Sequence, residues 1–252
     1  MIAVKTSELA LRSRSDGNVD RPKANDCDSC GARTLSVCGS VAAPDLVRLG
    51  ALAEVVTLTA GAVLTREGDV APYVFNITSG SLRVYKLLPD GRRQITGFLF
   101  AGDFLGLAIG EFYVFSAEAL EPTTVCRFRK GPFRALVESS SPLEHMLLHR
   151  TSHELAAAQN QMLLLGRKTA IERLASFLLD LPSHDPARPT APGHVHLPMK
   201  RGEIADYLGL TIETVSRVLT RMKAKGIISM PSQSDLIVER PDLLRAHAEG
   251  EV

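Results

Sequence analysis

The sequence predicts an α+β chain: an antiparallel β-roll, a long helix, and a C-terminal winged helix-turn-helix. Three observations carry this. Short apolar runs punctuated by glycine fill residues 46–128, the pattern of antiparallel strands joined by turns. From Pro142 to Lys168 the chain has no internal proline and its apolar residues recur at helical spacing,. Residues 201–219 then place small, turn and capping residues as a helix-turn-helix requires,.

Residues 1–40 are charged and small, without an amphipathic period, and read as an arm. Three of the four cysteines lie there, Cys27, Cys30 and Cys38, in Cys-x2-Cys-x7-Cys spacing, while Cys126 sits far downstream in a hydrophobic stretch. A segment so poor in apolar side chains has little to pack against a core, so its cysteines are not expected to be core residues. Two thiolates two residues apart can grip one metal ion or one edge of a cluster, and a loop lets a third follow. A zinc site, a cysteine redox switch, or incidental thiols with Cys126 as a small buried residue are the other readings. The N-terminus lacks the apolar core of a signal peptide and no apolar run suits a membrane span, so a cytoplasmic chain with no membrane partner is expected. There, clustered thiols favour ligand or redox roles over stable disulfides. The seven histidines, among them His194 and His196 in a Pro/Gly loop, read as surface residues.

Residues 41–140 form the predicted roll. Strands are expected at Tyr73–Ile77, Leu82–Leu88, Gln94–Phe100 and Thr123–Phe128, with Pro89-Asp90-Gly91 turning the hairpin between the second and third,. Residues 141–168 form the helix. Leu148, Leu155 and Met162 step by seven, beside a companion row of Thr151, Ala158 and Leu165. That is a coiled-coil seam of about three heptads on a rod about 40 Å long, and it predicts a homodimer; a helix packed on its own β-domain is the alternative.

Residues 169–252 hold a helix at Thr169–Leu181, a stretch with five prolines over 182–198 that reads as a loop or a short strand pair, and a compact unit from Met199 to about Arg245. Ala205 is small where two helices cross, Gly209 supplies the turn, and Thr211 caps the second helix with Glu213 in its first turn. Ile204, Leu208, Leu210, Val215, Val218 and Leu219 make the apolar face. The opposite face carries Glu213, Thr214, Ser216, Arg217 and Arg221, whose chemistry suits double-stranded DNA. Arg217 can donate twice to guanine, Glu213 can accept from cytosine, and Ser216 can reach a base edge. Six basic and three acidic residues lie between Lys200 and Lys225, so Lys200, Arg201, Lys223 and Lys225 suit phosphates although the whole chain carries only +1,. Ile227–Met230 and Leu236–Val238 read as the wing. The alternative is a three-helix unit used for protein contacts. No nucleophile elbow, Walker loop or dinucleotide fingerprint is present, so an enzyme is not expected.

These residues together resemble the CRP/FNR family of bacterial transcription regulators over nearly the whole chain. Glu213-Thr214-Val215-Ser216-Arg217 matches the recognition helix of the FNR branch. Gln94-Ile95-Thr96-Gly97-Phe98, Ala101-Gly102-Asp103 and Leu163-Leu164-Leu165 leading to Glu172-Arg173-Leu174-Ala175 are similar to it too. The resemblance implies a cyclic-nucleotide-binding-like β-roll, a dimerisation helix, and an oxygen-labile [4Fe-4S] cluster on Cys27, Cys30, Cys38 and Cys126. It implies control of anaerobic or microaerobic gene expression from a TTGAT-type palindrome, with Thr211, Thr214 and Arg201 beside the base-reading residues. Leu148, Leu155, Ala158, Met162 and Leu165 become the dimer interface, and the turn Pro89–Arg92 a contact for RNA polymerase. Seven residues separate Cys30 from Cys38, a longer gap than the branch usually shows, which leaves cluster stability open. Phe115 stands where the cyclic-nucleotide branch places its phosphate-binding arginine, so no cyclic nucleotide is expected; another small effector in the roll is a remaining alternative.

Overall fold

Burial on alternate residues closes the first half of the chain into two antiparallel sheets in a computed structural model, which describes residues 19–20, 27, 29–106, 110–184 and 193–251. In chain order the roll's strands are β1 (Val19–Asp20), β2 (Ala53–Leu58), β3 (Val63–Thr65), β4 (Tyr73–Ser79), β5 (Ser81–Leu87), β6 (Arg93–Phe100), β7 (Phe104–Leu105), β8 (Ser116–Ala119) and β9 (Thr123–Arg129). One sheet runs β1-β2-β9-β4-β7 and the other β3-β8-β5-β6. The Asp90-Gly91 turn joins β5 to β6 as expected, with Gly91 at φ +84° and Leu88 N–H donating to Arg92 O at 2.8 Å.

Between the sheets Val56, Phe75, Ile77, Leu82 and Val125 form one core. The first sheet is also covered on its other face. There Ala53, Val74, Phe104 and Phe128 pack with Val37, Val41, Leu46, Leu49, Phe133 and Leu143. The cover is α1 (Ala43–Leu52), α2 (Lys130–Glu138) and the start of α3 (Ser141–Arg167). Two departures from the sequence reading follow. The apolar run from Leu46 begins as a helix, opened by Pro44 in its first turn and burying Leu46, Leu49 and Gly50 along one side,. The arm folds as well: short 3₁₀ turns at Arg33–Leu35 and Val37–Ser40 bury Ala32 and Val37 completely enough (1% and 0% exposed) to act as core.

The C-terminal unit comprises α4 (Ala170–His184), β10 (His194–His196), α5 (Arg201–Leu208), α6 (Ile212–Ala224), β11 (Ile228–Ser229), β12 (Asp235–Val238) and α7 (Pro241–Glu249). Leu174, Leu178, Ile204, Leu208, Val215, Leu219, Met222, Leu236 and Leu244 share its core. The unit therefore starts well before Met199 and runs past Arg245. Its wing has three strands, because β10 leaves the proline-rich stretch to pair with β12. His194 and His196 are half-buried there beside Asp235, and His247 is buried in α7, so these three are not the surface residues expected. Among the described residues no helix is long and apolar enough to cross a membrane.

The roll and the C-terminal unit share one core, since Tyr85, Ile95, Phe98 and Phe100 join the cluster of Leu174 and Leu208. Phe98 meets Tyr207 at 5.3 Å and Phe177 at 6.0 Å between ring centroids. Polar contacts frame this seam. Arg83 pairs with Glu118 of its own sheet and with Glu203 of α5. Arg93 donates to Asp206 through Nε at 3.0 Å and Nη2 at 2.8 Å, and Gln94 Nε2 donates to Asp206 O at 2.7 Å. Arg173 ties α3, α4 and α5 by donating to the carbonyls of Leu165, Lys168 and Leu208, each at 2.9 Å.

Removing Arg83 strands two shielded carboxylates, so Arg83→Ala should lower the unfolding free energy in a urea titration by about 3 kcal/mol. Arg92→Ala, which breaks an exposed pair with Asp90, should leave it unchanged within error.

Candidate functional site

Two sites emerge, a polar recognition face and a thiol pocket. The first begins at α5, where Glu203 reaches back to accept from Lys200 N–H at 2.6 Å. Gly209 ends α5 in the left-handed region at φ +62°, which favours glycine and sharpens the turn. Thr211 caps α6 by accepting from Thr214 N–H at 3.2 Å. Val215, Val218, Leu219 and Met222 face inward, which leaves Arg201, Thr211, Glu213 and Arg217 exposed and Thr214 and Ser216 half-buried on one side. Its own backbone N–H and the Thr211 hydroxyl hold the Glu213 carboxyl below the usual carboxylate range, so it stays an acceptor at neutral pH. Arg217 Nη2 lies 3.4 Å from Thr214 Oγ1 and Arg201 Nη1 lies 3.5 Å from Ser216 Oγ. These long contacts leave both guanidinium groups able to exchange partners. The sequence reading left Thr220, Ser232 and Gln233 unassigned. They line an open cleft with Arg201 and Lys223 between α6 and the wing; the polar turn Ser232-Gln233-Ser234 was the available signal.

Along α3, Leu148, Leu155 and Met162 are 65%, 61% and 66% exposed, and Ala158 is exposed between them. An apolar row of this length without a cover among the described residues fits a coiled-coil seam rather than a helix packed on its own roll. Leu163, also exposed, was not foreseen. Leu165 departs from the expected row: it is half-buried against the C-terminal core, because the end of α3 turns that side toward α4 and α5.

The second site lies on the outer face of the first sheet. Cys126, on β9, stands opposite Val55 of β2 and Asn76 of β4. Cys27, Cys38 and Cys126 border the core beneath α1, Cys30 is half-buried beside them, and all four are thiols. Gly50 makes room, since a Cβ there would come within 3.1 Å of Cys27 Sγ. Burial, and then the nearby Cys38, Cys30 and Cys27, push the Cys126 thiol up to about 12. Burial also raises the Cys38 thiol, partly offset by the Ser36 hydroxyl. The expectation that these cysteines lie away from a core is thus corrected: the loop supplies Val37 and Ala32 as anchors, and its thiols share the core's edge.

Cys27, Cys38 and Cys126 thus share one core edge, and Cys30 lies near enough to act on the Cys126 thiol. A single tetrahedral zinc would need its sulfurs about 3.8 Å apart, and among the described residues no three His, Cys, Asp or Glu side chains could hold one ion. Thiols that are neighbours without meeting at one ion are compatible in donor chemistry with a cluster that takes one cysteine at each iron. One polar atom in this region is orphaned: Asn76 is 2% exposed and its Oδ1 has no hydrogen-bond partner, a burial that costs about 1–3 kcal/mol.

The pocket is tied to the root of α3. Arg150 Nη2 donates to Leu35 O and its Nη1 lies 3.7 Å from Asp103. Ser140 Oγ donates to Asp45 at 2.6 Å and Arg48 donates to Ser139 Oγ at 3.0 Å. Sequence reasoning missed Arg150; a lone arginine near the front of a dimer helix was the only hint. In the roll, the Phe115 ring lies 5.2 Å from Lys86 Nζ.

Comparison with known proteins agrees with both halves of the chain. Residues 172–247 match the Crp-like helix-turn-helix domain and residues 55–140 match the cyclic nucleotide-binding domain. The nitrogen fixation regulation protein FixK of Bradyrhizobium diazoefficiens is 42% identical over 83% of this chain and 88% of its own. The transcriptional activatory protein AadR of Rhodopseudomonas palustris is 42% identical over 79% and 83%. The solved structure of FixK2 from Bradyrhizobium japonicum superposes with a TM-score of 0.72 at 36% identity, covering 77% of this chain and 96% of that one.

The raised Cys126 thiol has a consequence for stability. The folded cluster-free chain holds this proton more tightly than the unfolded chain, whose thiol has the ordinary value of 9.0. That contribution is fully present below pH 9.0 and is lost as pH rises toward about 12,. The urea midpoint of cluster-free protein should fall across this window, and less steeply in Cys126→Ser.

Proposed function

The chain belongs to the CRP/FNR family of transcription regulators, and on that footing we propose a homodimeric, sequence-specific DNA-binding regulator switched by an oxygen-labile [4Fe-4S] cluster on Cys27, Cys30, Cys38 and Cys126. The observation that carries this reading is that Cys27, Cys38 and Cys126 pack on the core they share with the root of α3, with Cys30 near enough to act on the Cys126 thiol. When bound, the cluster supplies an oxygen-sensitive cross-link between the N-terminal loop and β9.

The chain's own residues do the rest. Cys27, Cys30 and Cys38 fasten the loop to Cys126, which keeps Val37 seated and Leu35 O within reach of Arg150. That contact steadies the first turns of α3, from which Leu148, Leu155, Ala158 and Met162 face a second copy. Pairing sets two α6 helices about 34 Å apart, one turn of DNA, on a TTGAT-type palindrome. Arg217 and Glu213 then read base edges, with Ser216 and Thr214 beside them, while Arg201 and Lys223 hold phosphates. Releasing the loop removes the support for α3, an order–disorder switch. The turn Pro89–Arg92, exposed at the hairpin tip, is a surface for RNA polymerase, in keeping with relatives described as activators. The expected output is control of anaerobic or microaerobic genes. No cyclic nucleotide enters this scheme, because Phe115 cannot pair with a phosphate.

Anaerobically reconstituted protein should carry about four irons and matching sulfide per chain, with a broad visible absorption that bleaches in air. Iron-free, colourless protein whose DNA affinity follows thiol oxidation would instead favour a cysteine redox switch. Arg217→Ala should weaken binding at the guanine position by about 1–3 kcal/mol and relax specificity there, read by titrating single-base variants of the palindrome.

A further inference from the structure

We infer that Asn76 donates a hydrogen bond to sulfur in the cysteine-held group, making it the polar residue that retains that group in the pocket; this rests on the cluster reading above.

The placement comes from the sheet. Residues directly opposite on paired strands share a face, and Asn76 stands opposite Cys126 on one side and Phe104 on the other. Val74, two residues earlier on β4 and hence on the same face, packs with Phe104, Phe128, Cys38 and Cys126. Asn76 therefore projects among apolar side chains and thiols, not between the two sheets where Phe75 and Ile77 lie. It is 2% exposed, and its Oδ1 is among the buried polar atoms that lack any partner. Ser36, a second buried polar side chain of the pocket, is already engaged with Cys38 N and Arg33 O.

A buried amide with an unmade bond is a poor choice for packing, since a leucine there would join Val74 and Phe104 without penalty. The amide fits a site that takes up a group able only to accept. No thiol donates to Oδ1, and metal-bound thiolates and sulfides only accept. Turning the amide plane presents Nδ2–H to them, and hydrogen bonds to cluster sulfurs are a recognised means of tuning such centres.

The test uses the full-length chain, anaerobically reconstituted, as wild type and Asn76→Leu. The variant should take up the same iron and sulfide and keep an equal or higher urea midpoint when cluster-free. It should nonetheless release iron to a chelator, without oxygen, about three to ten times faster, and its Fe–S stretching bands should shift in resonance Raman. Asn76→Thr, which keeps a donor on a β-branched frame, should release iron more slowly than Asn76→Leu. Unchanged release with unshifted bands would overturn the assignment. So would a cluster-free variant destabilised in proportion to its faster release, the mark of a packing role alone. If wild type holds neither iron nor sulfide, the cluster reading itself fails and takes this one with it. A wild type that holds both while Asn76→Leu matches its release rate and its Fe–S bands isolates the failure to Asn76.

Discussion

Around Cys126 the sheet containing β2, β9 and β4 is covered on both faces, and the organisation of the sensor half follows from that constraint. One side packs into the roll through Phe75, Ile77 and Val125. The other side carries Val74, Phe104, Phe128 and Cys126, which need a cover of their own. Helices α1 and α2 supply most of it, and the cysteine loop, through Val37, supplies the rest. A loop that covers part of a core is held by burial and released at the cost of exposing that core. The cysteines therefore sit where a modest change in local bonding can decide whether the cover stays closed.

From that pocket two routes lead outward. The short one runs through Arg150 and Leu35 into α3, whose middle bears an uncovered apolar row. The other runs through the roll itself, because β5 and β6 share both core and charge pairs with α5. Arg83, Arg93 and Gln94 fix the first helix of the helix-turn-helix against the hairpin, and Arg173 fixes the end of α3 to α4 and α5. The recognition helix thus inherits its orientation from the sensor domain. It is not an independent module on a tether.

Much of this was legible in the sequence where local pattern decides structure. The strands from Tyr73 to Phe100, the Asp90-Gly91 turn and the α5–Gly209–α6 motif are set by alternation, by turn chemistry and by a cap. The helix at Ala43–Leu52 was hidden because its apolar residues abut a true strand without a break. A strand in the proline-rich stretch was one of the two readings there, but its pairing with β12 in the wing is set by tertiary contacts. Asn76 falls within the expected strand Tyr73–Ile77 and carried no assignment of its own, since only its burial opposite Cys126 makes it unusual. The cysteines could be grouped by spacing and by family resemblance, but their burial depends on anchors, Ala32 and Val37, that cannot be told from loop residues by composition. Leu165 obeyed the heptad count and still turned inward, since tertiary contacts with the C-terminal unit override a short seam.

The central claim is that the cysteine loop and the root of α3 form one cooperative unit. Hydrogen exchange of the full-length protein, compared with and without reconstituted cluster, tests it most directly. The account predicts that removing the cluster speeds exchange in residues 29–41 and in the first three turns of α3 by similar factors, while β4 and β9 stay protected. Faster exchange in the loop with α3 unchanged would contradict it, because the pocket would then have no mechanical hold on the dimer helix.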